Sequence, residues 1–166
     1  MPLQAQGEFA LVKEALESAL ELSGQPVKRG TMAHKHIVYM MLADAAAQLR
    51  DAAALERYSP LLEELAIQDN HQPYLAIVHR CYGVICLLNE QYAEADARLT
   101  QALTLFDEIE APWQIGRTLV EKAELALARS DEASARDDFS RALAAFESIG
   151  AAPDIEHTRA ALTALA

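Results

Sequence analysis

The sequence predicts an all-α fold in which antiparallel helices stack as a right-handed α-α superhelix, and two observations point to it. Alanine and leucine supply 33 and 23 of the 166 residues, whereas valine, isoleucine and threonine supply only 6, 8 and 6, which favours helices over strands. Shifting the sequence by 40 residues also aligns like residues with like. A repeated helix pair cannot bury its apolar faces alone, so neighbouring pairs are expected to stack.

The 40-residue repeat places small residues where helices would touch. Ala43, Gly83 and Ala123 fall in register, and a small side chain at this position lets two helix backbones approach each other. Larger apolar residues keep the same interval, as in the pair Phe106 and Phe146. We therefore interpret residues 1–166 as one repeat domain: a half repeat over 1–30, repeats over about 31–71, 72–111 and 112–151, and a terminal helix over 152–166.

Each 40-residue unit divides into two helices. Pro73, Pro112 and Pro153 each mark the start of a first helix, because a missing backbone N–H is tolerated in the first turn. With the apolar spacing between these marks, the sequence predicts eight helices, at about 8–23, 31–49, 52–68, 73–88, 92–109, 113–128, 132–148 and 153–165.

Several polar residues and one glycine are positioned to cap these helices. Asp51, Asn89 and Ser130-Asp131 precede the second helices and can accept hydrogen bonds from unpaired backbone amides. Gly150 can adopt the left-handed conformation that ends a helix. The turns within a unit are therefore expected to be short.

Two segments interrupt the helical pattern. Pro60 lies inside the third predicted helix, so we expect either a kink there or a new helix start capped by Ser59. The segment Ser23–Gly30 is the one long connection rich in glycine and proline, and we interpret it as a joint.

The charge of the chain excludes several classes of partner. A formal net charge of −11 and a pI near 4.8 oppose binding to nucleic acids and to anionic membranes. No signal peptide and no apolar segment of about 18 residues is apparent in the sequence, so we expect a cytoplasmic protein that binds neither a membrane nor nucleic acid.

The repeat resembles the tetratricopeptide repeat. The clearest unit runs from residue 74 to 111, where Gly83 matches the small residue of the first helix, Tyr92 the aromatic of the second, and Ala95 and Ala102 the two alanines. The next unit keeps Ala123, Ala135, Phe139 and Ala142 but has Glu132 in place of the aromatic, and the unit before keeps Ala43 but carries Leu55 and Leu62. A 40-residue period is longer than the usual 34 of the family and implies longer helices.

Two short sequence segments indicate a narrower group of proteins within this resemblance. Residues 106–109 and 146–151 are similar to phrases in the repeat regions of large bacterial signalling ATPases and transcriptional regulators. The broad family implies binding of proteins or peptides, and the narrower group also implies sensing of an inducer. The resemblance implies neither an enzymatic activity nor a cofactor.

No catalytic or metal-binding constellation is evident in the sequence, and no enzyme activity or cofactor is predicted. Cys81 and Cys86 lie five residues apart, about 140° around a helix, which does not suit ligation of one metal ion. His79 is interpreted as a packed, hydrogen-bonded histidine. Trp113 is expected either to pack between repeats or to anchor a partner.

The remaining candidate site is the concave surface of the predicted superhelix, which the first helices would line. Residues at positions i, i+3 and i+7 lie on one face of a helix, and this spacing selects one row of residues from each of these helices. We expect an apolar groove with a few charges, suited to an amphipathic helix or an apolar peptide. The predicted partner-binding residues are Ile37, Met40, Asp44, Ile77, Arg80, Val84, Leu87, Arg117, Val120, Glu124, Leu127 and His157.

The leading interpretation is a non-enzymatic scaffold that binds a protein or peptide as the sensory or scaffolding part of a bacterial regulator. Tetratricopeptide domains that clamp acidic chaperone tails use lysine and asparagine on the groove helices, where this chain has Met40, Asp44, Val84 and Glu124, so that function is not expected.

Three alternatives remain open. The same groove could hold a small-molecule inducer, with Arg80 or Arg117 meeting an anionic group. It could instead be covered by a neighbouring helix of the same protein. The sequence also begins on a helix of the second type and ends on one of the first type without its partner, so the chain is expected to be a piece of a longer array or to form homo-oligomers through its terminal helices.

Overall fold

The computed structural model describes residues 8–22 and 32–165, and these residues form eight α-helices and no strand. The all-α prediction is therefore confirmed, and every predicted helix end lies within one residue of its observed position. The helices are α1 (Phe9–Leu22), α2 (Met32–Gln48), α3 (Ala52–Gln68), α4 (Gln72–Leu88), α5 (Tyr92–Glu108), α6 (Pro112–Ala128), α7 (Glu132–Ile149) and α8 (Ala152–Ala164). The predicted joint at Ser23–Gly30 lies outside the described residues.

The helices pack mainly on their neighbours along the chain. Each of α1 to α7 contacts the next helix, and α2 also contacts α4, as α4 contacts α6. From α3 onward a helix begins every 20 residues, at positions 52, 72, 92, 112, 132 and 152. The first helix of one repeat therefore contacts the first helix of the next repeat, so α2, α4 and α6 lie side by side.

The core lies between these helices and contains the repeated small residues. Ala43, Gly83 and Ala123 are all buried, and Phe106 and Phe146 fill the space between helices. Burial of this apolar surface is the main force that holds helix against helix. Among the described residues, no helix combines the length and the apolar character needed to cross a bilayer.

The helices α2 to α7 end in one recurrent backbone motif. At the end of α4, the Glu90 N–H donates to the Leu87 carbonyl at 3.0 Å and the Gln91 N–H donates to the Cys86 carbonyl at 2.8 Å, which is the Schellman arrangement. The residue at the centre of the motif has a positive φ at every end, and Gly150 holds this position as predicted. The six residues are Arg50, Asn70, Glu90, Glu110, Ser130 and Gly150.

The helix starts confirm most of the predicted caps. Asp51 accepts from the Ala54 N–H at 3.0 Å and Asp131 from the Ser134 N–H at 3.1 Å, and Pro73, Pro112 and Pro153 lie in first turns. The prediction for Asn89 is wrong: it forms the end of α4, and α5 starts after Gln91 without a side-chain cap.

Two further helix details differ from the sequence-based expectation or were missed by it. Helix α3 runs unbroken through Pro60, with Ser59 buried inside it, so the predicted restart with Ser59 as a cap is wrong. His71 caps α4 because its Nδ1 accepts from the Tyr74 N–H at 3.3 Å.

Candidate functional site

The predicted groove rows differ strongly in accessibility. Asp44, Arg80 and Arg117 are only 1, 0 and 4% exposed, and the apolar Ile77 and Val84 lie in the core. Val84, which is fully buried, could not touch a bound partner without a rearrangement of the helices. Met40, Leu87, Val120, Glu124 and Leu127 are half-buried, and Ile37 and His157 are exposed.

The three buried charges form one network across the first helices. Asp44 Oδ1 of α2 lies 2.8 Å from Arg80 Nη2 of α4 and 3.4 Å from Arg117 Nη2 of α6. Arg80 Nη1 also donates to Gln114 Oε1 at 2.6 Å, and its guanidinium lies over the Phe106 ring at 5.4 Å from the centroid. A single carboxylate therefore compensates two buried guanidiniums on different helices.

A second ion pair connects the turn after α2 to α6. Arg50 Nη1 lies 2.5 Å from Glu121 Oε2, although the two residues are 71 positions apart in the sequence. Glu121 is buried, so a charged partner is required to offset its desolvation.

Arg117 lies at the centre of the candidate site. Its guanidinium lies over two aromatic rings, at 5.1 Å from the Phe9 centroid and 4.8 Å from the Trp113 centroid. The Trp113 indole is fixed in turn, because its Nε1 donates to Asp154 Oδ2 at 3.0 Å. Trp113 therefore packs against Arg117, one of the two roles predicted for it.

Two donors of Arg117 have no partner among the described residues. Its Nε and Nη1 are buried without a hydrogen bond, whereas Nη2 binds Asp44. Burial lowers the pKa of the Arg117 guanidinium, and the nearby Asp44 carboxylate opposes that shift, so the group stays charged at neutral pH. Buried N–H groups without an acceptor are costly, which makes this position receptive to a ligand that supplies one.

Beside Arg117 lies a cleft of about 480 Å³. It is formed by the start of α1, the end of α2 and its turn, one face of α6, and parts of α7 and α8, and its wall mixes charged and apolar side chains. The lining residues are Phe9, Gln48, Arg50, Arg117, Val120, Glu121, Glu124, Phe146, Pro153, Asp154, His157 and Thr158.

The cleft contains part of the predicted set and adds residues that were not predicted. Arg117, Val120, Glu124 and His157 line it, as the helical spacing suggested, whereas Ile37, Met40 and Leu87 do not. Phe9 was missed because no row of groove residues was assigned to α1. Its contact with α6 depends on the tertiary packing of the helices. The Phe9 ring of α1 lies against Arg117 of the α6 row.

The environments of His79, Cys81 and Cys86 indicate structural roles. His79 is half-buried with Nδ1 3.4 Å from Arg98 Nη1, and burial lowers its pKa. Cys81 and Cys86 are free thiols, and burial raises the pKa of Cys81 to about 12, which suppresses the reactive thiolate. The part of the chain that the structure describes holds no group of three or more His, Cys, Asp or Glu side chains arranged to bind a metal ion.

Comparison with known protein families and with curated proteins gave no match for this chain.

Proposed function

We propose that this chain is a non-enzymatic interaction module that binds a peptide segment in the cleft beside Arg117, as the sensory or scaffolding part of a bacterial regulator. One observation carries the proposal: a buried, positively charged side chain with two unpaired donors lines a cleft of about 480 Å³. Peptide backbones and carboxylates supply the acceptors that such donors require.

The proposed architecture is a tetratricopeptide-like superhelix with a 40-residue repeat. Three features support it: the 20-residue interval between helix starts, the recurrence of the left-handed residue at the same interval, and the contacts of α2 with α4 and of α4 with α6. An experimental structure in which α2–α3, α4–α5 and α6–α7 superimpose by one repeated rigid movement would support this arrangement, and unrelated movements would contradict it.

The proposed site is more polar than the apolar groove expected from the sequence. Asp44 and Arg80 neutralise each other beneath the surface, and Ile77 and Val84 belong to the core. The accessible wall is therefore the α6 row with the residues that α1 and α8 bring to it.

A small-molecule ligand is a second candidate for the same site. The observation that favours it is the position of Phe9, whose ring lies against the Arg117 guanidinium and closes one side of the cleft. Partly enclosed cavities of 300–1,000 Å³ are typical of small-molecule sites. A metabolite that raises the melting temperature of the protein in proportion to its concentration would support this candidate.

Peptide selection tests the proposed function. Random 12-residue peptides displayed on phage are selected against the wild-type protein, and the affinities of selected peptides are measured for Arg117→Gln and for Arg129→Gln. Loss of hydrogen bonds to the buried charge should weaken binding by about tenfold or more, whereas the control changes an exposed arginine in the turn after α6.

A second variant keeps this test decisive if Arg117→Gln does not fold. Val120→Trp places a bulky ring in the cleft from a half-buried position and should block the same peptides. Enrichment of no displayed peptide together with no binding of free short peptides, or equal binding by wild type and by folded Val120→Trp protein, would overturn the proposed function.

A further inference from the structure

We propose that the ligand of the cleft is a short free peptide of two or three residues with apolar side chains, bound through both of its charged ends. Its carboxylate would accept from Arg117 and its ammonium would lie beside Glu124. This inference rests on the proposed function, because it names the ligand class of the same site.

The carboxylate position follows from the unpaired donors of Arg117. Its Nη2 is engaged with Asp44, while Nε and Nη1 are buried without an acceptor among the described residues. A carboxylate is the strongest acceptor for a guanidinium. The guanidinium lies over the rings of Phe9 and Trp113 at 5.1 and 4.8 Å from their centroids, and a ligand carboxylate would accept from the N–H groups, which lie in the guanidinium plane.

The need for a positive group follows from the charges around the cleft. Glu121 is neutralised by Arg50 at 2.5 Å, whereas no ion pair or hydrogen bond of the Glu124 carboxylate is found among the described residues. Asp154 adds a further negative charge to the same wall. Two positive and three negative side chains leave the wall with one net negative charge, on a chain whose net charge is −11. A purely anionic ligand would be repelled, and a ligand with both charges would be matched.

The spacing of these groups sets the length of the ligand. Arg117 and Glu124 lie seven residues apart on α6, which corresponds to about 10 Å along the helix axis at 1.5 Å per residue. Extended peptides span roughly 3.3–3.6 Å per residue, so two or three residues separate their charged ends by a comparable distance.

The size and the apolar part of the wall agree with this length. A cavity of about 480 Å³ has a mean edge of about 8 Å, the span of two to three extended residues. Phe9, Val120 and Phe146 contribute apolar surface to the cleft, against which apolar side chains of the ligand would be buried.

Chemical capping of the peptide tests both charged contacts. Tripeptides with Ala, Val, Leu or Phe between two alanines are titrated into the full chain by calorimetry in four forms: free, N-acetylated, C-amidated and doubly capped. We expect at least one free tripeptide to bind and either single cap to weaken its binding by about tenfold or more.

Variants assign each end of the peptide to its residue. In Glu124→Gln, N-acetylation should no longer weaken binding, and in Arg117→Gln, C-amidation should no longer weaken it, as expected for a double-mutant cycle. Glu56→Gln, which changes an exposed glutamate of α3, should respond to both caps as the wild type does. If Arg117→Gln does not fold, the four ligand forms with the wild type and Glu124→Gln still decide the question.

The outcomes separate this inference from the proposed function. Binding of displayed 12-residue peptides without binding of any free tripeptide would overturn the inference and leave the proposed function standing. Equal binding of free and capped forms, or weakening by C-amidation alone, would overturn the two-ended recognition. If neither peptide class binds, both proposals fail.

Discussion

The second residue after each of the helices α2 to α6 holds a backbone conformation that L-amino acids rarely adopt. Arg50, Asn70, Glu90, Glu110 and Ser130 have φ values between 50 and 60°. The left-handed region costs a residue with a Cβ about 1–2 kcal/mol relative to its preferred conformations. The chain meets this cost because the two backbone hydrogen bonds of the motif and the packing of the next helix depend on it.

Replacing such a residue with glycine should therefore stabilise the protein. We expect Glu90→Gly and Glu110→Gly each to raise the free energy of unfolding by about 0.5–1 kcal/mol, since relief of the strain exceeds the added flexibility of the unfolded chain. Both side chains are exposed, and neither forms a hydrogen bond or an ion pair with another described residue. Urea denaturation followed by circular dichroism measures the change.

Glu56→Gly is the matched control, because Glu56 is an exposed residue inside α3. There the same substitution should destabilise the protein by about 0.5–1 kcal/mol. Destabilisation by Glu90→Gly and Glu110→Gly of the same size as in the control would show that the left-handed residues carry no strain.

At the scale of single residues, the sequence predicted the features that depend on hydrogen bonds between residues close together in the chain. Asp51 and Asp131 cap the next helix because a carboxylate reaches a backbone N–H three residues on, a relation that spacing alone specifies. Asn89 lies one position before the left-handed Glu90 and therefore ends α4. The junction between α4 and α5 consists of the three polar residues 89–91, and the sequence does not say which side of the turn each one serves.

Between elements, α6 and α7 pack closely at Gly116. Gly116 is buried in α6, and a Cβ added to it would lie 2.6 Å from Phe146 Cε1 of α7. That separation is far below van der Waals contact. The packing of Phe146 therefore accounts for the glycine at this position, since glycine inside a helix otherwise weakens the helix.

We expect Gly116→Ala to destabilise the protein by about 1–3 kcal/mol, because overpacking outweighs the gain of roughly 1 kcal/mol in helix propensity. Phe146→Leu removes the ring atoms that clash, so the double variant should lose less stability than the two single changes predict together. Thermal and urea denaturation of the four proteins measure this coupling. A Gly116→Ala protein as stable as the wild type would show that Phe146 moves aside freely.

The helix limits were predictable from sequence because their signals lie within a few residues of each end. Proline in a first turn, as at Pro73 and Pro153, and an apolar 3.6-residue period together define a helix without knowledge of its neighbours. Pro60 was ambiguous for the opposite reason. Whether α3 continues through it depends on the packing around Ser59 and Tyr58, both buried, and not on local propensity.

Across the whole molecule, charged residues distant in sequence connect the first helices. Asp44 bridges to Arg80 and Arg117, which lie 36 and 73 residues away, and Arg50 bridges to Glu121. In a stacked repeat protein most interactions join adjacent units. Here these ion pairs connect α2 and its following turn directly to α6.

Loss of the shared carboxylate should therefore be costly. We expect Asp44→Ala to destabilise the protein by about 3–5 kcal/mol, because it leaves two buried guanidiniums without their counter-charge. Glu147→Ala removes an ion pair with Arg159 at 2.6 Å in which both side chains are exposed, and it should cost less than about 1 kcal/mol. Urea denaturation distinguishes the two.

A simultaneous change tests the cause of this loss. Replacing Asp44, Arg80 and Arg117 together with apolar residues of similar volume should recover much of the stability lost in Asp44→Ala. Similar losses for Asp44→Ala and Glu147→Ala would instead show that the buried charges are accessible to water.

The candidate site was predictable only in part, and its charges show why. Helical spacing placed Val120, Glu124 and His157 on one surface with Arg117, and these residues do line the cleft. It could not show that Arg80 is neutralised by Asp44, nor that Phe9 of α1 lies against Arg117 of α6. The sequence did carry one signal for the buried network. When the 40-residue repeats are aligned, the negative charge of Asp44 and the positive charge of Arg80 lie one helical turn apart on successive first helices.

The ion pairs between α2 and α6 have a mechanical consequence. An array held only by neighbour contacts would yield to a pulling force one helix pair at a time. In this chain, force applied at residues 32 and 165 must break the links from Asp44 and Arg50 before α3, α4 and α5 can separate from the rest. Rupture of the five helices α2 to α6 in a single step, instead of a series of small extensions, is the behaviour that this bracing implies.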